Sequence, residues 1–263
     1  MPELIEVEAA RRLVEARALG RPIVAVDAPD TWYLKRGLTP RAVKKALPGR
    51  RLTSARRRGK LMLVDTDDGD GPTIGLHLGM SGRVIIDDEA AGDPLVYASN
   101  REVPLWHRFT IEFADGGRLA MRDPRRLGAV ELDPDEDRLG PDALDLTLAE
   151  LRSIVSKSRA PIKAVLMDQS RIAGLGNLLV DEVLYRAGID PARAAETLDA
   201  AEQVRVMRAI RNTLKITMRR SGSHTGDLMT SRQPGGFCPK DGAPLLRRTV
   251  GGRTTYSCPL HQL

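Results

Sequence analysis

The chain has 263 residues, 41% hydrophobic and 29% charged, which is enough to bury a substantial core and form two domains. Net charge is +6, aromatic residues make up 3%, and there are two cysteines. These values exclude a disulfide framework and a single-strand binder built on stacked aromatic platforms; no apolar run is long enough to span a bilayer, and no signal peptide is expected.

From the amino end, residues 2–19 read as a helix. Leu4, Val7, Ala10, Leu13, Val14 and Ala18 fall at three- and four-residue spacings, and Gly20-Arg21-Pro22 ends the run. Pro2-Glu3 suits an ordinary helix start, with proline at a first position and an acid in the first turn. The same pair offers chemistry. With Met1 removed, Pro2 is a secondary amine that attacks an electrophilic carbon and leaves an iminium, and Glu3 is a proton donor or acceptor one residue away. Strand-like runs follow at Ile23–Val26, Leu61–Asp65, Ile74–Leu78, Val84–Ile86, Phe109–Phe113 and Arg118–Arg122, with Asp115-Gly116-Gly117 as a hairpin signal. They read as an antiparallel sandwich or partly open barrel. Residues 87–104 read as an irregular loop.

After Asp133-Pro134-Asp135 the pattern turns helical, at Leu148–Ser158, Pro161–Asp168, Asn177–Ala187 and Leu198–Arg220. Residues 221–236 read as a loop rich in Gly, Ser and Thr. Phe237–Leu263 is a compact end segment carrying both cysteines.

Charge is uneven. Residues 203–263 hold 11 Lys/Arg against Asp227 and Asp241, and residues 35–60 hold 11 Lys/Arg and no acid. Two basic blocks on a globular chain suggest a polyanion clasped from two sides, although a solvated face gives the same count. The stretch Ile162–Leu184 reads as a helix, a glycine-containing turn and a second helix from Asn177. Asn177 suits an N-cap, and free N–H groups at that helix start suit a phosphate, though a plain helical hairpin has the same pattern.

Taken together, these motifs resemble the formamidopyrimidine-DNA glycosylase / endonuclease VIII family of base-excision repair enzymes. Pro2-Glu3-Leu4 with Glu6-Val7-Glu8 resembles its amino-terminal motif, and Arg57-Arg58-Gly59-Lys60 its lysine hairpin. His77-Leu78-Gly79-Met80-Ser81-Gly82 and Asp123-Pro124-Arg125-Arg126-Leu127-Gly128 resemble the loops that fill the gap left by a flipped base. Leu139-Gly140-Pro141-Asp142 resembles the interdomain segment, and Ile162–Ala187 the helix–two-turn–helix. The resemblance implies an α+β chain in three parts: an N-terminal antiparallel β-sandwich flanked by helices (1–133), a helix–two-turn–helix domain (134–222), and a linker with a β-hairpin, zinc-finger-like element (223–263). It also implies a monomer, with duplex DNA in the cleft between domains. The two cysteines fit a reducing cytosol, so a cytoplasmic, nucleoid-associated protein of a bacterium is expected.

The roles implied by resemblance are specific. Pro2 attacks the anomeric carbon, Glu3 protonates the opening sugar and Lys60 donates to a phosphate or the sugar. Met80 fills the hole in the stack, Arg125 or Arg126 contacts the orphaned base, and Leu127 is the wedge, where the family more often has an aromatic residue. His107, Lys163 and Asn177, with the Gly176 turn, hold phosphates; Arg253 grips one and is tied to a second elimination. Apart from the resemblance, His77 reads as a structural histidine.

The end segment resembles the family finger in spacing but not in ligands: Cys238, Asp241, Cys258 and His261 stand where four cysteines are usual. Two thiolates, a carboxylate and an imidazole form an allowed tetrahedral zinc set; a finger without metal is the rival. The stretch from Ser223-His224-Thr225 to Cys238 is short, and the family's loop capping flipped 8-oxoguanine has no counterpart there. The expected function is a bifunctional DNA glycosylase and abasic-site lyase acting by β/δ-elimination and not specialised for 8-oxoguanine. The alternatives are a non-catalytic damaged-DNA binder, or an abasic-site lyase or bulky-adduct glycosylase.

Overall fold

In this computed structural model the described residues are 2–92, 99–101 and 103–263. Along them run α1 (Leu4–Arg17), β1 (Ile23–Asp27), α2 (Pro40–Ala46), β2 (Leu52–Arg58), β3 (Leu61–Thr66), β4 (Ile74–His77), β5 (Arg83–Ile86), β6 (Glu89–Ala90), β7 (His107–Phe113), β8 (Arg118–Arg122) and β9 (Ala129–Leu132). Then come α3 (Leu148–Val155), α4 (Ile162–Met167), α5 (Asn177–Ala187), α6 (Ala200–Arg219), β10 (Leu246–Val250) and β11 (Arg253–Ser257). The chain divides into two compact units, one of Pro2 and Glu6–Glu136, the other of Glu3–Ile5 and Asp137–Leu263.

The first unit holds two antiparallel sheets, in strand order β1-β7-β8-β5-β6 and β2-β3-β4-β9. Alternate side chains of both sheets meet in one core. Val26, Phe109, Ile111, Met121 and Val84 come from the first sheet, and Leu52, Met62, Val64, Leu76 and Val130 from the second. Val7, Ala10 and Val14 of α1 and Val43 of α2 complete it. In the second unit α3, α4, α5 and α6 pack around Leu151, Leu166, Leu179, Val183, Val206 and Ile210, with Leu4 and Ile5 in the same cluster. Capping boxes start two of these helices, Thr147 with Glu150 at α3 and Asp199 with Glu202 at α6. The β10–β11 hairpin follows, and Tyr185, Leu228, Cys238, Ala243 and Cys258 form a small separate cluster.

The α+β architecture is the one expected, and most differences fall at polar or short elements. Helix α1 begins at Leu4, leaving Pro2 and Glu3 ahead of it, because the Glu3 carboxylate is bound elsewhere. Strand β2 lies within a basic block; it holds register with apolar β3, and its charges are paired, Arg56 with Asp65 and Arg57 with Glu8. Helix α2 is short and starts with Pro40 behind a Thr39 cap. Of the loop expected over 87–104, residues 93–98 and 102 lie outside the described residues, while Glu89–Ala90 pairs with β5.

Candidate active site and nucleic-acid interface

In the first unit the β2–β3 hairpin places Lys60 in its turn, half-buried, after Gly59 at φ +60°. The turn is held from behind: the Arg57 guanidinium is buried, donates to the Gly59 carbonyl at 2.9 Å and pairs with Glu8 on α1 at 3.3 Å. Burial opposes ionisation of Glu8, but Arg11, Arg12 and Arg57 together hold its carboxyl below the usual range.

Two loops carry the residues expected to fill a gap in the stack. Asp123, fully buried, ties them together. One carboxylate oxygen takes the Ser81 hydroxyl and the Arg125 N–H (3.1 Å); the other takes the N–H groups of Leu127 (2.9 Å) and Gly128 (2.7 Å). Gly79, at φ +59°, lies so close that a Cβ there would come within 2.3 Å of the Leu127 carbonyl. Met80 and Leu127 are both apolar and exposed, at 37% and 46%. The two arginines differ. Arg126 is clamped by Asp30 through bonds of 2.6 and 2.7 Å, whereas the exposed Arg125 side chain has no polar partner among the described residues. His107 opens β7 and lines a groove with Asp30, Arg108 and Arg126. The His77 Nδ1 accepts the Gly79 N–H at 3.1 Å. Asp123 and Asp30 carry no expected role in the sequence; the first is legible only as the head of Asp123-Pro124-Arg125-Arg126.

In the second unit Glu3 is fully buried and caps α5 from 173 residues away. Its carboxylate accepts the N–H groups of Gly176 (2.7 Å), Leu178 (2.8 Å) and Leu179 (3.3 Å). This is the helix-start anion site anticipated for a phosphate, and a protein carboxylate fills it. Gly176 is the N-cap, and its glycine identity has a cause: a Cβ would sit 2.3 Å from the Glu3 carboxyl carbon. The expected N-cap, Asn177, is instead the first helical residue, and its Nδ2 donates to the Thr254 carbonyl at 3.1 Å.

Lys163 is a further correction. A phosphate-holding lysine needs an ammonium that reaches solvent, and this one is fully buried, 2.6 Å from Asp181 and 2.7 Å from the Thr255 hydroxyl. Burial pushes its pKa down against the pull of Asp181. Arg253 opens β11 with an exposed side chain.

The four candidate metal ligands converge. One donor atom each from Cys238, Asp241, Cys258 and His261 lies within 4.8 Å of the others, a cluster that could hold one metal ion. Backbone N–H groups of Lys240 and Leu260 point at the two sulfurs at 3.4 Å, and His261 Nε2 lies 3.3 Å from the Tyr185 carbonyl, which orients the ring with Nδ1 inward. The donor set suits zinc, and both cysteines are free of disulfide. The Ala243 N–H and His261 hold the Asp241 carboxyl far below its ordinary range.

Residues 1–130 match the model of the formamidopyrimidine-DNA glycosylase N-terminal domain, and residues 139–228 that of the formamidopyrimidine-DNA glycosylase H2TH domain. A formamidopyrimidine-DNA glycosylase of Paracoccus denitrificans is 35% identical over the full length of both chains. The chain belongs to the formamidopyrimidine-DNA glycosylase family. Another relative of that name, from Acidiphilium cryptum, is 36% identical over 98% of each chain. Among solved structures, the Lactococcus lactis family member in complex with DNA containing an abasic site superposes with a TM-score of 0.84 at 27% identity, each chain fully covered. The same enzyme with N7-benzyl-Fapy-dG DNA gives 0.83 at 28% over 99% of each chain. Among the described residues no helix is long and apolar enough to cross a membrane.

Proposed function

We propose that this family member excises damaged bases from duplex DNA and then cleaves the strand at the resulting abasic site. The observation that carries the reading is the amino-terminal pair: Pro2 is buried directly before a Glu3 whose carboxylate is fixed by three amides. An α-amine ordinarily titrates at about 7.7–8.0, so a neutral nucleophile is accessible near neutral pH. Pro2 nitrogen bonds to the anomeric carbon of the flipped nucleotide, the glycosidic bond breaks and the base leaves with its electron pair. Glu3 takes the proton that the Pro2 nitrogen loses and passes it to the ring oxygen of the opening sugar, so that the iminium forms. The resulting iminium acidifies the adjacent sugar proton; loss of that proton expels the 3′ phosphate, and a second elimination releases the 5′ phosphate. Lys60 donates to a phosphate or the sugar. Met80, Arg125 and Leu127 refill the stack, with Arg125 and not Arg126 on the orphaned base because Asp30 already holds Arg126. His107, Asn177 and Arg253 face phosphates.

Cys238, Asp241, Cys258 and His261 would hold zinc in a structural role. Metal analysis is expected to give one zinc per chain, lost in Cys258→Ser; a fully folded wild type without zinc contradicts the assignment. The three-part division at 133/134 and 222/223 belongs to the same reading, as does bacterial nucleoid DNA as the place of action. So does a substrate range displaced from 8-oxoguanine toward oxidised pyrimidines and abasic sites. Supporting that range, the stretch from Ser223-His224-Thr225 to Cys238 is short and has no counterpart of the family's loop that caps flipped 8-oxoguanine.

Borohydride trapping on a duplex with one abasic site tests the mechanism. A covalent adduct is expected from wild type with a verified Pro2 terminus and none from Pro2→Gly. No adduct from wild type leaves a damaged-DNA binder. Whether Met1 is removed lies outside the described residues, and mass analysis answers it. A panel of lesion duplexes tests the range: 8-oxoguanine excised faster than every pyrimidine lesion contradicts it.

A further inference from the structure

We propose that Lys163, Asp181 and Arg232 form a buried clamp that positions Arg253, fixing the tip of the β10–β11 hairpin independently of the metal cluster at its base. Two charged side chains in the clamp, Lys163 and Asp181, are fully buried, and Arg232 nearly so. They come from α4, α5 and the segment after α6. Asp181 bridges the two cations, 2.6 Å to Lys163 Nζ and 2.8 Å to Arg232 Nε.

Both cations then turn to the hairpin. Lys163 Nζ donates to the Thr255 hydroxyl, and that hydroxyl donates to the carbonyl of Arg253 itself at 3.0 Å. The next carbonyl, of Thr254, is shared by three donors: Arg232 Nη2 at 3.1 Å, Asn177 Nδ2 at 3.1 Å and Lys163 Nζ at 3.3 Å. Oxygens of Thr254 and Thr255 are therefore held by Lys163, Asn177 and Arg232, and the Arg253 carbonyl is held one step removed, through the Thr255 hydroxyl. Packing gives a separate sign of the same seat. Gly251 in the hairpin turn has φ +57°, and a Cβ on it would lie 2.9 Å from the Ala164 Cβ, so the turn rests on α4.

Desolvating two charges is costly, and well-packed apolar residues often stabilise as well or better. What a buried ionic cluster adds is a single permitted geometry. Here that geometry includes the backbone that aims Arg253. The metal ligands flank the other end, Cys238 and Asp241 before β10 and Cys258 and His261 after β11, so the two ends of the hairpin have different anchors. The functional consequence rests on the proposed role of Arg253 at a phosphate during the second elimination.

The test uses the intact protein with Lys163→Met and Asp181→Asn; in the first, Asp181 keeps Arg232 as partner. Amide hydrogen exchange over residues 251–256 is expected to rise at least tenfold in both variants, at temperatures well below melting. On an abasic duplex the ratio of β,δ- to β-product is expected to fall about tenfold in Lys163→Met, as in Arg253→Ala, with no further fall in the double variant. Asp181→Asn is expected to leave base excision within twofold of wild type. Unchanged exchange over 251–256 in both variants overturns the clamp. If Arg253→Ala leaves the product ratio unchanged, the role given to Arg253 fails, and the exchange measurement still decides the clamp.

Discussion

The Glu3 carboxylate, fully buried, accepts three backbone N–H groups at the start of α5. Its place beside Pro2 is plain in the chain, but its three amide partners lie more than 170 residues away, beyond any local pattern. The same distance hides why Gly176 is glycine and why the amides of Gly176, Leu178 and Leu179 are not free for a phosphate. Lys163 misleads for a related reason: a lysine in a helix–two-turn–helix suggests a phosphate partner, and only the fold reveals Asp181 opposite it. Asp65 offers a residue-scale prediction. The Arg56 guanidinium, against some burial and with help from Ser54 and Thr73, lowers its pKa from 3.8 to about 2. A depressed carboxylate stabilises the fold above its unfolded value, and that contribution fades as pH falls from about 4 toward 2. Because the pair is partly solvated, about 1–2 kcal/mol is expected. Asp65→Asn should lower the urea midpoint accordingly at pH 7 and match wild type near pH 2. An equal deficit at both pH values contradicts this account.

Among the elements, those with apolar periodicity are legible and those held by polar pairing are not. β8 and α5 fall where their apolar runs place them, and both are buried at nearly every residue. Strand β2 is Leu-Thr-Ser-Ala-Arg-Arg-Arg, with one strongly apolar side chain, and takes its conformation from β3. The two gap-filling loops are legible as motifs, but their joint anchor is not. Asp123 holds the Ser81 hydroxyl and three backbone N–H groups with one buried carboxylate. Asp123→Ala leaves those donors unsatisfied and is expected to cost about 2–3 kcal/mol. It should also slow base excision at least tenfold, since Met80 and Leu127 lose their common support. Thermal melting and single-turnover excision check this; a lowered melting temperature with unchanged excision would assign Asp123 to stability alone.

At the scale of the whole molecule, the uneven charge makes a quantitative claim. Binding to a duplex with a stable abasic analogue should weaken with salt, the log–log slope lying at about −3 to −5 as several phosphate counterions are released. A nearly flat plot would remove the basic blocks from the binding surface. Family membership was legible because the motifs occur in order along nearly the entire chain, while lesion choice depends on a short stretch whose effect only a substrate panel reads. The amide bonds of Glu3 also bear on the order in which the protein is made. A ribosome adds about 5–20 residues each second, so some ten to thirty seconds separate the synthesis of Glu3 from that of Gly176. Throughout that interval Glu3 lacks its amide partners, and Leu4 and Ile5 wait for the core they join. A chain cut short before α5 therefore carries Pro2 and Glu3 without the three amides that fix the Glu3 carboxylate in the complete fold.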